Sequence, residues 1–325
     1  MAFASVLGHE RIKRLFEVAL RQRQLRSALL LTGPEGVGKK LLALQVGQAL
    51  VCEAGDGEAC GKCAPCSRAA RGLHPDLVLL VPDGNSIKIE QVRDAVREIQ
   101  GRPFEARARC FVIDDAHLMT EQASNALLKS LEEPPPTSHV LLVTPSPQAL
   151  LPTIRSRCQT LRFSALPLHL VETELRERHQ VKAAEAHLRA QLSGGSLRVA
   201  LDFEADAYRG LRDSVLELLE TLPGGSVLDR MAAAERLAEA SEPELALTGF
   251  RSLLRDVAAI RAGAETSQLL NADLAPRLSR LAEGPLGPRA VALAEAAADA
   301  RAALEAYGNK LLALDTLLDA VADVA

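Results

Sequence analysis

Two groups of residues in this 325-residue chain have the types and spacing to do chemistry. The first is Gly33-Pro34-Glu35-Gly36-Val37-Gly38-Lys39, a G-x-x-x-x-G-K frame. In such a frame the glycines let successive backbone N–H groups turn inward as an anion cradle, and the helix that follows adds the positive end of its dipole. Lys39 would reach the β and γ phosphates of a nucleotide, ATP or ADP. A working loop continues with Ser or Thr, whose hydroxyl ligates the Mg²⁺ that bridges those phosphates. This chain has Lys40 there, and an ammonium cannot ligate a cation. A second metal-handling run is Cys110-Phe111-Val112-Ile113-Asp114-Asp115, an apolar strand ending in carboxylates. Asp114 would hold Mg²⁺ through water. Asp115 stands where a longer Glu usually reaches the attacking water, and a misplacement of about an ångström can cost on the order of 10²-fold in rate. Gly33, Gly36, Gly38, Lys39, Asp114 and Asp115 therefore read as a nucleotide site that has lost, or nearly lost, hydrolysis. A plain glycine turn and a solvated strand end are the simpler readings.

The second group is Cys52, Cys60, Cys63 and Cys66, spaced C-x₇-C-x₂-C-x₂-C. Four thiolates so spaced fit a tetrahedral Zn²⁺, with backbone N–H groups in the x₂ turns pointing at sulfur. All four positions come from protein, so the zinc is expected to be structural. Disulfides compete with this reading but are uncommon in the cytosol. His74 could be a spare ligand and reads better as a loop residue before Pro75, while Cys110 and Cys158 read as small core hydrophobes.

Elements that position these groups can be placed from hydrophobic patterning. Strands are predicted at Ala28–Thr32, Leu77–Val81, Arg109–Ile113, Val140–Thr144 and Thr160–Phe163, with helical spacing at Lys40–Cys52, Ile89–Ile99 and Gln122–Leu131. Such alternation implies a parallel sheet covered by helices. From Pro167 onward strand signals vanish, and Ala- and Leu-rich helices are broken at Gly194-Gly195, Pro223-Gly224-Gly225 and Gly284-Pro285-Leu286-Gly287-Pro288.

Length and composition bound the function. A chain beyond roughly 250–300 residues usually divides into several cores. Hydrophobic residues are 48% and charged residues 25%, as in ordinary soluble proteins. Aromatics are 3%, too few for base-stacking platforms along a single strand. The net charge of -4 gives no global attraction to DNA or anionic lipid. Residues 1–165 hold 21 Lys and Arg against 17 Asp and Glu, and the remainder 17 against 25, so the first part is the better candidate to face an anion. No apolar run reaches the ~18 residues of a membrane span, and the opening residues lack a secretory pattern, which predicts a cytosolic, cytoplasmic protein.

These motifs join into a known pattern. The strand Cys110–Asp115, the helix Ala123-Ser124-Asn125-Ala126-Leu127-Leu128-Lys129-Ser130-Leu131-Glu132-Glu133-Pro134-Pro135, the strand Val140–Thr144 and Thr153-Ile154-Arg155-Ser156-Arg157-Cys158 resemble the AAA+ module of bacterial clamp loaders. Val6-Leu7-Gly8-His9-Glu10 and the cysteine insertion belong to the same pattern. Gly194–Leu201 resembles the lid segment that bears the sensor 2 arginine, here Arg198, and Thr144 falls at the sensor 1 position, followed by Pro145. The resemblance implies an α/β fold: a P-loop parallel-sheet module at 1–165 with a zinc-binding insertion at 52–66, a helical lid at 166–205 and an all-α collar at 206–325. Within the family the chain is similar to the delta prime subunits of the DNA polymerase III clamp loader rather than to the gamma/tau motors, which carry an intact loop. That implies a subunit without ATP hydrolysis of its own, which lends Arg157 in trans to a neighbour's nucleotide, with Arg155 the nearby alternative and a plain surface arginine the simpler reading. The implied partners are gamma/tau and delta subunits, the sliding clamp, and primed DNA through the assembly, with no membrane. A gamma/tau-like ATP-hydrolysing motor is the alternative. A zinc-based DNA-binding module is a third reading, weakened because Lys62 is the one basic residue between Cys52 and Cys66.

Overall fold

Apolar runs without alternation need cover on both faces of a sheet, which is how parallel sheets are built. Every residue of β1 (Ala28–Thr32), β3 (Arg109–Ile113) and β4 (Ser138–Thr144) is buried, while β2 (Leu77–Leu80) and β5 (Gln159–Arg162) are only partly so. The computed structural model describes residues 3–323 apart from 56, 241–242 and 306–308. The extreme ends of the expected 1–165 and 206–325 parts, and residue 56 of the 52–66 insertion, thus lie outside the described residues.

Two compact units are present, residues 1–180 with 193–201, and residues 181–192 with 202–325. In the first, five parallel strands run in the order β2-β3-β4-β1-β5, with Thr32 opposite Thr144 and Ile113 opposite Leu142. The helices are α1 (Glu10–Arg21), α2 (Lys39–Leu50), α3 (Ala64–Ala70), α4 (Ile89–Ile99), α5 (Glu121–Glu132), α6 (Pro152–Arg157) and α7 (Leu168–Glu177). The starts of α4 and α5 are read directly from side chains: the Gln91 carbonyl accepts from Lys88 N–H at 3.0 Å, and Thr120 Oγ1 accepts from Ala123 N–H at 3.2 Å. Val92, Ala95 and Ile99 of α4 recur at helical spacing and pack with Phe111, Leu127 and Leu142 in one core.

The second unit is helical: α8 (Ala183–Leu192), the end of α9 (Leu197–Asp202), α10 (Ala205–Thr221), α11 (Val227–Glu239), α12 (Pro243–Arg261), α13 (Ala275–Glu283), α14 (Ala290–Glu305) and α15 (Lys310–Ala322). Its core gathers Val215, Leu216, Phe250, Leu253, Leu293 and Leu318. A polar cluster lies inside it. The Asp256 carboxylate accepts from Leu270 N–H (3.1 Å), Asn271 N–H (2.7 Å) and Asn271 Nδ2 (2.9 Å), and Tyr208 and Ser252 share a hydroxyl bond of 2.6 Å. Among the described residues, no helix is long and apolar enough to cross a membrane.

Candidate functional site

Gly33 follows β1 directly and takes φ 140°, and a Cβ there would stand 2.2 Å from the Phe163 carbonyl oxygen. Gly36, at φ 69°, meets the lid segment: a Cβ would fall 2.1 Å from Ser196 Oγ and 2.7 Å from Arg198 Cβ. Both positions require glycine, for conformation and for space. Gly38 caps α2 at φ 100°. Arg198 N–H donates to Gly36 O at 3.4 Å, so the expected sensor 2 residue lies at the loop. Thr144 ends β4, between β1 and β3, and its Oγ1 accepts from Ser146 N–H at 3.0 Å. Asp114 and Asp115 follow β3 on the same edge of the sheet.

The charges here are arranged against one another. Lys39 is buried, and its Nζ donates to Gly33 O (2.6 Å) and Pro34 O (2.5 Å); burial holds its pKa below the usual lysine value. Lys40 Nζ lies 2.9 Å from Asp114 Oδ2, with the carboxylate 13% exposed. An ammonium therefore sits on the carboxylate that would hold magnesium. A unit and a double positive charge 4 Å apart repel by about 8 kcal/mol at an effective dielectric near 20, so these residues do not fit a divalent ion beside Asp114 while Lys40 stays there. Asp115 adopts a left-handed backbone, φ 47° and ψ 45°, and burial followed by the neighbouring Asp114 charge raises its pKa.

Arg157 is not part of this constellation. It ends α6, and β5 begins two residues later at Gln159, opposite Leu29 near the start of β1. Since every strand points the same way, Arg157 lies beyond the N-terminal edge of the sheet and the loop beyond its C-terminal edge. At ~3.3 Å per residue the five residues of β1 alone separate the two by ~13 Å. Arg157 Nε donates to Glu132 Oε1 at 2.6 Å and Nη2 to the same oxygen, while Nη1 donates to Thr153 O at 2.9 Å. Glu132, Ser156 and Arg157 line a surface cleft of about 780 Å³.

The four cysteines form a separate site past the C-terminus of α2, ~18 Å along the helix from the loop at 1.5 Å per residue. Their Sγ atoms all lie within 4.8 Å of one another. Cys60 N–H donates to Cys52 Sγ (3.3 Å), Cys63 N–H to Cys60 Sγ (3.4 Å) and Cys66 N–H to Cys63 Sγ (3.4 Å). Donation from the Lys62 and Cys63 backbones brings the Cys60 thiol down to about 6, whereas burial pushes Cys66 up. Four clustered sulfurs with N–H donors suit a thiophilic metal ion. His74 lies outside this group: its Nδ1 accepts from Asp76 N–H at 3.0 Å and its Nε2 is 3.2 Å from Glu105 Oε1. Cys110 and Cys158 are buried, with pKa values pushed up to about 12.

Sequence reasoning missed two side chains, Glu132 and Asp76, and the partner of a third, Lys40. Glu132 holds Arg157, and Lys40 pairs with Asp114; both pairings are opposite charges in motifs that the fold brings together. Asp76 was invisible. It is fully buried, with Oδ1 accepting from Phe104 N–H (2.7 Å) and Arg109 Nε (3.0 Å), and Oδ2 from Glu105 and Ala106 N–H (2.9 Å each). Glu105 in turn pairs with Arg68 of α3 at 2.5 Å, which links this hub to the cysteine segment.

A parallel sheet of this order, with a phosphate loop after β1, acidic residues after β3 and an all-helical second unit, defines a P-loop protein of the AAA+ class. The family model described as DNA polymerase III, delta subunit, matches residues 8–167. The delta' subunit of Escherichia coli (strain K12) is 30% identical over 260 residues, 78% of this chain and 76% of that protein. The delta' subunit of Bacillus subtilis (strain 168) is 35% identical over 212 residues, 65% of this chain and 64% of the relative. The tau subunit of E. coli is 35% identical over 211 residues, 63% of this chain and 33% of tau. The chain thus spans under two thirds of the latter two relatives. It belongs to the delta' family of DNA polymerase III clamp-loader subunits.

Proposed function

We propose that this chain is the stator of a DNA polymerase III clamp loader, a subunit that supports ATP-driven opening of the sliding clamp and its loading on primed DNA. Its neighbours are gamma/tau and delta subunits, and it places Arg157 against a nucleotide held by one of the motors. The carrying observation is the position of Arg157, at the sheet edge opposite its own phosphate loop, where it cannot reach a phosphate bound in the same chain. Guanidinium suits the task because it stays charged and presents a planar fork of donors. The pairing of Lys40 with Asp114 supports a site without hydrolysis of its own, so the chain has no independent ATPase. Cys52, Cys60, Cys63 and Cys66 hold structural zinc; the helical segment 166–205 serves as lid, residues 206–325 as the oligomerising collar, and the protein works in the cytoplasm.

Arg157→Ala in a reconstituted loader is the test. Ring assembly is expected to persist while DNA-stimulated ATP turnover falls, toward the 10³–10⁵-fold roughly typical of arginine fingers at a site that depends on one. Unchanged turnover would end this assignment. A motor reading draws on the retained Gly33–Lys39 frame and the identity with tau. Magnesium-dependent ATP turnover by the isolated chain, abolished by Lys39→Ala, would favour it.

A further inference from the structure

We propose that the loop Gly33–Lys39 is a magnesium-independent site for a nucleoside polyphosphate, with Lys40 standing as a tethered monovalent cation where a working loop recruits a divalent one. The inference rests on reading the loop as a phosphate cradle and is independent of the part given to Arg157.

Two features of the site point the same way. First, the cradle is retained although the metal ligand is gone. Gly33 and Gly36 keep left-handed backbone that excludes a Cβ, and α2 still begins at Lys39 with its N-terminus on the loop. Second, the cation that neutralises Asp114 is covalently part of the chain. Lys40 Nζ engages Asp114 Oδ2 at 2.9 Å, and its side chain, one residue past the loop, is 46% exposed and so accessible from solvent. An ammonium carries three donors, so one can remain on Asp114 while others meet phosphate oxygens. Lys39 is held by two neutral carbonyls, Gly33 O and Pro34 O, acceptors that a phosphate oxygen would replace with a charged one. A diphosphate or triphosphate entering here meets two ammonium groups and needs no separate ion to screen it from Asp114.

The experiment is an equilibrium titration of the full chain with ADP and with ATP, in excess magnesium and in buffer freed of magnesium by chelating resin, with bound zinc checked in both. Wild-type affinity is expected to stay within about twofold or to rise when magnesium is withdrawn, since the magnesium complex of the nucleotide would bring a divalent charge toward Lys40. Lys40→Thr, which restores a hydroxyl and frees Asp114, is expected to weaken by about tenfold or more on the same withdrawal, ~1.4 kcal/mol. Lys39→Ala is expected to abolish binding in both. A wild-type affinity that falls tenfold on removing magnesium, roughly the same 1.4 kcal/mol, overturns the proposal. So does a Lys40→Thr chain indifferent to magnesium, or wild type that binds neither nucleotide. The wild-type comparison decides the matter even if the variant misfolds. Absence of binding leaves the role of Arg157 standing, because that role is read from turnover of the assembled ring.

Discussion

Replacing Asp76 by Asn should destabilise the sheet unit far more than an isosteric change suggests. The carboxylate accepts three backbone N–H bonds and one from Arg109, none of them exposed at the aspartate end. These donors outweigh the cost of burial and hold its pKa near 2, against an ordinary aspartate value of about 3.8. A difference of that size corresponds to ~2 kcal/mol of stabilisation at neutral pH. Asn adds a second cost, because whichever way its amide is turned the NH2 group faces one pair of these donors, an unsatisfied contact costing about 1–3 kcal/mol in all. The expected loss is therefore about 3–5 kcal/mol at pH 7. Because the folded value lies below the unfolded one, the charge-linked part is fully present above about pH 4 and disappears as pH falls through about 2. The gap between wild type and variant should thus narrow over that window. Urea unfolding followed by far-UV circular dichroism measures it, since the chain has no Trp and both tyrosines, Tyr208 and Tyr307, come after residue 201. Hydrogen exchange at Phe104, Glu105 and Ala106 localises the damage. A deficit below about 1 kcal/mol at pH 7, the value of an ordinary surface change, or one unchanged down to pH 2, would refute the reasoning.

Cys66→Ser should lower bound zinc measured by atomic absorption, and cost the sheet unit several kcal/mol of stability, on the order expected for loss of a structural metal, while far-UV signal at neutral pH is largely kept. In the helical unit, Asp256→Ala strands three donors from Leu270 and Asn271, for an expected loss of about 2–4 kcal/mol. Tyr208 fluorescence should report it, because its hydroxyl bonds Ser252 beside that cluster.

The sheet was legible because its strands are nearly unbroken apolar runs: Ala28–Thr32 and Arg109–Ile113 form as their patterning predicts. The start of β4 was harder to see. Ser138 and His139 look like loop residues, yet Ser138 Oγ donates to Ile99 O and His139 Nδ1 contacts Arg26 O, so polar side chains join the strand by finding buried partners. Cysteine spacing carried its own geometry, because x₂ turns bring sulfurs and N–H groups together locally. Long-range charge pairing left no such trace. Lys40 and Asp114 are 74 positions apart, and Arg157 and Glu132 are 25 apart. The Asp76 hub depends on a loop whose backbone, rather than its side chains, supplies the donors, and backbone donors have no residue signature.

The left-handed backbone at Asp115 bears on reversibility. Asp and Asn visit that region more readily than longer side chains do, and other residues lose ~1–2 kcal/mol there. Lengthening Asp115 to the Glu of a water-activating site would therefore strain the strand exit that leads into the turn at Ala116–Leu118. Exchanging Lys40 for a hydroxyl residue would not remove that strain. On the proposed reading of a site without hydrolysis, gaining turnover would take a change of backbone at Asp115 as well as of two side chains, so replacing Lys40 or Asp115 singly is expected to give none.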